Sequence, residues 1–177
     1  MNGRFLQGAD VAGLRSEATQ AAEQGAAAVF LSRGPVGDPI VLAAGLSSSV
    51  PGLLLGVRME LGPSERHPAV LARDVTSLDL VSGGRSVLCF APPFDDALAE
   101  AVLLCRALWR AGELDSRGPH FPVRAAANRA RPAGDRSPLI AFDLTAGDEV
   151  PATVAGAADL LLRAAADAPD VCRLEWV

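Results

Sequence analysis

"RHPAVLARDVTSLDLVSGGRSVLCFA", residues 66–91, holds a helix start, a core stripe, a stop, a corner and a buried strand in one run. Pro68 suits a first helical position, where its missing N–H costs nothing. From there Val70, Leu71, Val75 and Leu78, with Val81, are expected to face inward, while Arg73, Asp74 and Ser77 face out. Gly83-Gly84 stops the helix through backbone conformations that favour glycine. Arg85 then precedes the apolar run Ser86–Ala91, where it is expected to fix a corner by pairing with Asp79 or the helix C-terminus. A helix followed directly by a buried strand is half of a βαβ unit, and the rest of the chain repeats that grammar.

Strand-like runs occur at 4–7, 26–31, 53–59, 86–91, 138–144 and 171–176. Helical patterns fall between them, at 11–24, 39–49, 68–81, 95–111 and 151–166. This alternation predicts a mainly parallel sheet with flanking helices. Asp10 and Asp38 supply N-cap carboxylates, Pro39 takes a first helical position, and Pro151 opens the last helix. In the fourth helix Leu98, Ala101, Val102, Cys105, Leu108 and Trp109 form one core stripe. The second helix has almost no polar face, since Ile40, Val41, Leu42, Ala43, Ala44 and Leu46 surround it with apolar surface. Such a helix needs cover on both sides, so a subunit interface is expected there, with cover by the chain's own loops as the alternative. Residues 112–137 show no periodicity and are rich in Gly, Pro and Arg, which predicts an irregular loop or lid.

The 177 residues, half of them hydrophobic, suit one globular domain over 1–177. All 16 basic residues are arginine, 21 acids outweigh them, and the net charge is −5. No basic cluster suggests a nucleic-acid surface. Arg124, Arg129, Arg131 and Arg136 are the densest group, read as a solvated loop in preference to a phosphate patch. Cys89, Cys105 and Cys172 lie in apolar runs without CxxC spacing, which points to buried free thiols in a cytoplasmic protein and to no metal site. Residues 39–57 carry no charge, but Ser47–Ser49 and Pro51-Gly52 split them, so no membrane span is expected. GxGxxG, a Walker loop and a Ser-His-Asp order are all absent.

The ordered set His67-Pro68, Leu71-Ala72-Arg73, Ser77-Leu78-Asp79 and Ser82-Gly83-Gly84-Arg85 resembles the luciferase-like monooxygenase family. Ala22-Glu23-Gln24-Gly25, Asp38-Pro39, Leu55-Gly56-Val57, Leu108-Trp109, Gly118-Pro119-His120-Phe121 and Ala157-Ala158-Asp159 extend the resemblance in collinear order. It implies a flavin- or F420-dependent (β/α)8 fold that dimerises through its second and third helices. A full barrel of that kind takes ~250 residues and eight strands; six candidates are present here. The expectation is a truncated TIM-barrel-like sheet of about six strands. Its closure would fall to a smaller barrel-like sheet, the long loop or a partner, with neighbouring copies sealing the gap.

Active-site groups in such barrels lie at the strand C-terminal ends. The resemblance implies an FMN or F420 site there near Ser32, Arg33, Arg58 and Phe90, with Arg33 and Arg58 neutralising a phosphate or a substrate carboxylate. The chain departs from the pattern in two places. Leu31-Ser32-Arg33-Gly34 stands where many relatives place an acid or a histidine. Phe90-Ala91-Pro92-Pro93 stands in place of a glycine-rich turn, and its prolines remove two backbone donors. His67 is expected at a helix start, His120 in a solvated loop, and Asp95-Asp96 as caps; no catalytic residue is assigned. Three functions follow. The first is a shortened luciferase-like protein with reduced or lost redox catalysis, acting as a dimer, a partner of a longer relative or a binding module. The second is an active FMN- or F420-dependent oxidoreductase, and the third a scaffold without a cofactor.

Overall fold

A computed structural model describes residues 1–61, 66–134, 136–150, 152–165 and 168–177. The apolar runs become strands β1 (Asn2–Phe5), β2 (Ala28–Ser32), β3 (Leu54–Met59), β4 (Ser86–Phe90), β7 (Leu139–Leu144) and β9 (Ala168–Trp176). Helices α1 (Val11–Glu23), α2 (Pro39–Leu46), α3 (Pro68–Ser82) and α4 (Asp96–Ala111) lie between them, as the caps predict. Asp10 accepts from the Gly13 amide, Asp38 from Ile40 and Val41, and Asp95 from Leu98. His67 caps α3 through Nδ1, which accepts from the Ala69 amide at 3.2 Å.

Two regions depart from the sequence reading. The pattern at 151–166 is not one helix. Pro151 lies outside the described residues, α5 covers only Ala152–Ala155, and residues Leu160–Ala165 form strand β8. Leu160 and Leu162 point into the barrel while Arg163 reaches out to Glu175 on β9, a period-two pattern hidden in LLLRAA. Within 112–137, β5 (Glu113–Ser116) and β6 (Val123–Ala127) pair as a separate antiparallel ribbon.

The barrel closes within the chain, in the order β1-β2-β3-β4-β7-β8-β9. The first six pair in parallel, and β9 runs back antiparallel to both β8 and β1. This corrects the expectation that neighbouring copies must seal a gap. Of the three routes to closure, the smaller barrel is the one taken, because a returning hairpin strand joins the two edges that six parallel strands leave open.

Seven strands enclose less space than eight, and one aromatic ring fills the centre. Phe30 sits level with Phe5 on β1 and Gly56 on β3. A Cβ on Gly56 would lie 2.1 Å from the Phe30 ring, and one on Gly3 2.8 Å from it. Ala28, Val87, Cys89, Ala141, Leu160, Leu162, Cys172 and Leu174 complete the lumen. The opposite strand faces, with Leu31, Val57, Phe90 and Phe142, pack under the helices as the larger core.

Helix α3 corrects part of its expected stripe. Leu71, Val75 and Leu78 are buried, but Val70 and Val81 face solvent. Thr76, Asp79 and Ser82 take the inward positions. Their polar groups are satisfied by Ala72 O and Asn128, by Ser86 and the Ala133 amide, and by Asp79 O and the Arg85 amide. Arg85 does fix the corner, but not through Asp79. It donates to the carbonyls of Ser82, Val50, Leu53 and Ser47, tying the end of α3 to the α2–β3 turn.

Candidate functional site at the barrel mouth

All β-strands that precede a helix end on the same face, and the inward alternation of the lumen continues there into Ser32, Arg58 and Asp143. Arg58 follows Gly56 by two residues on β3, and Asp143 follows Ala141 by two on β7, so both side chains lie above the packed lumen. Arg58 Nε donates to Asp143 Oδ2 at 2.6 Å, and Arg58 Nη1 to Glu60 Oε1 at 3.1 Å. Asp143, its side chain only 3% exposed, also accepts from the Thr145 amide at 3.0 Å and the Thr145 hydroxyl at 2.6 Å. Burial disfavours the Arg58 charge, but the Asp143 hydrogen bond and charge, with the Glu60 bond, overcome it and hold the guanidinium above its ordinary range.

Beneath this pair lie two thiols of the lumen. Burial, aided by the Asp143 charge and opposed by Arg58, pushes the Cys89 thiol well up. Burial and Asp143 push Cys172 up to about 12. Burial, opposed by the charge of Arg106, takes Cys105, on α4, to about 12. All three are free and buried, and none is a nucleophile at neutral pH.

Ser32, Arg33 and Arg58 line one cleft of about 240 Å³ together with Met59 and Glu60. Ser32 and Arg33 also border a second cleft of about 210 Å³ formed by Leu6–Gly8 and Gly34–Gly37. Three of the four residues expected near a cofactor are thus brought together. Phe90 is not: it is fully buried on the outer wall of the barrel, 6.2 Å from the ring of Phe142. His67 makes an edge-to-face contact with Phe121, and His120 is exposed in the loop. Asp95 and Asp96 belong to the start of α4. Sequence reasoning missed Asp143 and Glu60. The signal for Asp143 was available: it is the lone charge in the strand LIAFDL, at the strand's C-terminal end.

Small-molecule sites commonly enclose roughly 300–1,000 Å³, more than either cleft holds. Arg58, the cation best placed for a phosphate, already faces two carboxylates. The residues of one chain therefore do not fit an enclosed flavin or F420. Among the described residues no group of three or more His, Cys, Asp or Glu is placed to hold a metal ion, and no helix is long and apolar enough to cross a membrane.

No family model matches the sequence, and neither does any curated protein. Solved structures do match. An F420-dependent secondary alcohol dehydrogenase, solved with an F420–acetone adduct, superposes with a TM-score of 0.65 at 16% identity, over 80% of this chain and 51% of its own. The coenzyme F420-dependent tetrahydromethanopterin reductase of Methanopyrus kandleri gives 0.63 at 15% identity, over 81% and 50%. EDTA monooxygenase from Chelativorans sp. BNC1 gives 0.66 at 19%, over 85% and 46%. The chain spans about half the length of these proteins. The likeness is one of fold, and at that level it bears out the resemblance to luciferase-like monooxygenases and reductases.

Proposed function

We propose that this chain is a shortened luciferase-like protein that has lost redox catalysis and works by association, as a homodimer or beside a longer relative, in the reducing cytoplasm. The observation that carries this reading is the state of the barrel mouth. Arg58 is matched by Asp143 and Glu60 above a lumen already filled by Phe30. A buried, hydrogen-bonded ion pair is strongly disrupted when one member is drawn away, so a cofactor phosphate or substrate carboxylate would have to compete with two resident carboxylates. Association has its own support. Val41 on α2 is 68% exposed and Val81 on α3 63%, with Val70 and Leu80 also on the outer face of α3. Exposed apolar side chains on these two neighbouring helices are what an association surface would cover.

A second reading, an active FMN- or F420-dependent oxidoreductase with the cofactor held between subunits, is favoured by one observation. The fold neighbours are such enzymes, one solved with an F420 adduct and one, a Baeyer–Villiger monooxygenase, with FMN. Ser32, Arg33 and Arg58 would then be this chain's share of the site. Titration of the purified protein with FMN and with F420, read by absorbance and fluorescence, separates the two. The expected result is no saturable binding at micromolar concentration, together with a dimer in sedimentation velocity that Val81→Asp converts to monomer. Stoichiometric uptake of either cofactor would overturn the first reading in favour of the second.

A further inference from the structure

The ribbon of β5 and β6 pairs with no barrel strand and lies against α4 and α3. Leu114, Phe121, Val123 and Ala126 pack from it onto the larger core, none of them fully buried. Three costs gather in this one segment. Ala125, at φ 49°, is the one residue other than glycine with a left-handed backbone among the described residues, a conformation that a Cβ disfavours. The pairing register shifts between Leu114 and Ser116, and Asp115, at the shift, accepts from the Ala125 amide at 2.5 Å. At the base Asn128 is 1% exposed, and its Oδ1 accepts from no group among the described residues. A buried acceptor left unpaired is costly.

Against these costs stands a catch at the tip. Glu100 on α4 accepts from the Phe121 amide at 2.7 Å through Oε1 and from the His120 amide at 2.9 Å through Oε2. The turn closes tightly round this carboxylate, since a Cβ on Gly118 would collide with Oε1. The Phe121 ring then meets His67 edge to face, with 5.6 Å between centroids. The base is anchored separately. The Asn128 amide donates to Gly112 O at 2.6 Å, and Asn128 Nδ2 to Thr76 Oγ1 at 2.8 Å. A segment fixed at its base, caught at its tip and strained between them is suited to local opening, because units with little buried surface open well below the cost of global unfolding.

We propose that residues 113–127 form a strap that opens as one unit, with the Glu100 carboxylate as its catch. Opening frees Leu114, Phe121 and Val123, so apolar side chains that the closed chain covers become available for association. The device is independent of the barrel mouth and of any cofactor there. Amide hydrogen exchange of the full chain, resolved residue by residue by NMR, tests it. A two-stranded ribbon detached from its support is marginal in water. Protected amides of β5, of the tip and of β6 are therefore expected to share one opening equilibrium, lying further toward the open state than that of β4 and β7. Glu100→Ala should shift this shared equilibrium toward opening at least about tenfold, while β4, β7 and the thermal unfolding midpoint stay unchanged. Ala125→Asn, better suited to a left-handed backbone, should shift it toward closure. Ribbon amides that exchange only together with the barrel, or that show no protection, would overturn the assignment. So would a Glu100→Ala effect that is absent, confined to residues 118–121 or shared by β4 and β7, and so would an Ala125→Asn variant that opens as readily as the parent or more so.

Discussion

Phe30 and Gly56 form a fitted pair at the centre of the barrel. The ring occupies the space where any larger residue on β3 would place its side chain, with a hypothetical Cβ 2.1 Å from the ring. Gly56→Ala should therefore force the ring aside and cost about 1–3 kcal/mol, seen as a lowered midpoint in urea unfolding. A variant as stable as the parent would mean that the lumen is looser than described. Asp143 follows the same logic in charge instead of volume. It is tolerated in a buried strand because Arg58 and Thr145 saturate it.

Between elements, Arg85 does the work that its position before a buried strand suggested. Its guanidinium reaches carbonyls from the end of α2, the α2–β3 turn and the end of α3, groups that helix termini otherwise leave unpaired. Arg85→Ala should cost about 3 kcal/mol, measured as a drop in thermal unfolding temperature. Arg85→Lys should recover only part of it, since one ammonium cannot span those directions. An Ala variant with an unchanged melt would reduce the corner to decoration. At this scale the sequence was readable wherever an element buries one regular face. It misled at α3 because Thr76, Asp79 and Ser82 displace Val70 and Val81 from the core, and buried polar residues depend on partners that only tertiary contacts supply. It gave an irregular loop or lid where β5 and β6 form a ribbon, whose residues are none of them fully buried and whose surroundings are bonded by side-chain carboxylates. Glu100 accepts from His120 and Phe121, and Asp115 from Ala125.

For the molecule as a whole, closure rests on β9. Its nine residues pair with β8 on one side and with β1 on the other, stitching the last strand to the first. Removing residues 168–177 should expose both edges at once and convert a closed barrel into an aggregating species, visible by size-exclusion chromatography with light scattering. A truncated chain that stayed compact and monodisperse would show that α/β packing alone closes the sheet.

What the amino-acid sequence determined by itself is the local grammar: β/α alternation, capped helix starts, the glycine stop and the arginine corner of residues 66–91. Those signals act within a few residues of one another and need no partner from afar. Only the tertiary structure decided that seven strands close without help and that Arg58 meets Asp143, 85 positions away. Strand register and charge pairing are properties of segments distant in the chain, and no local pattern encodes which distant segment will stand opposite.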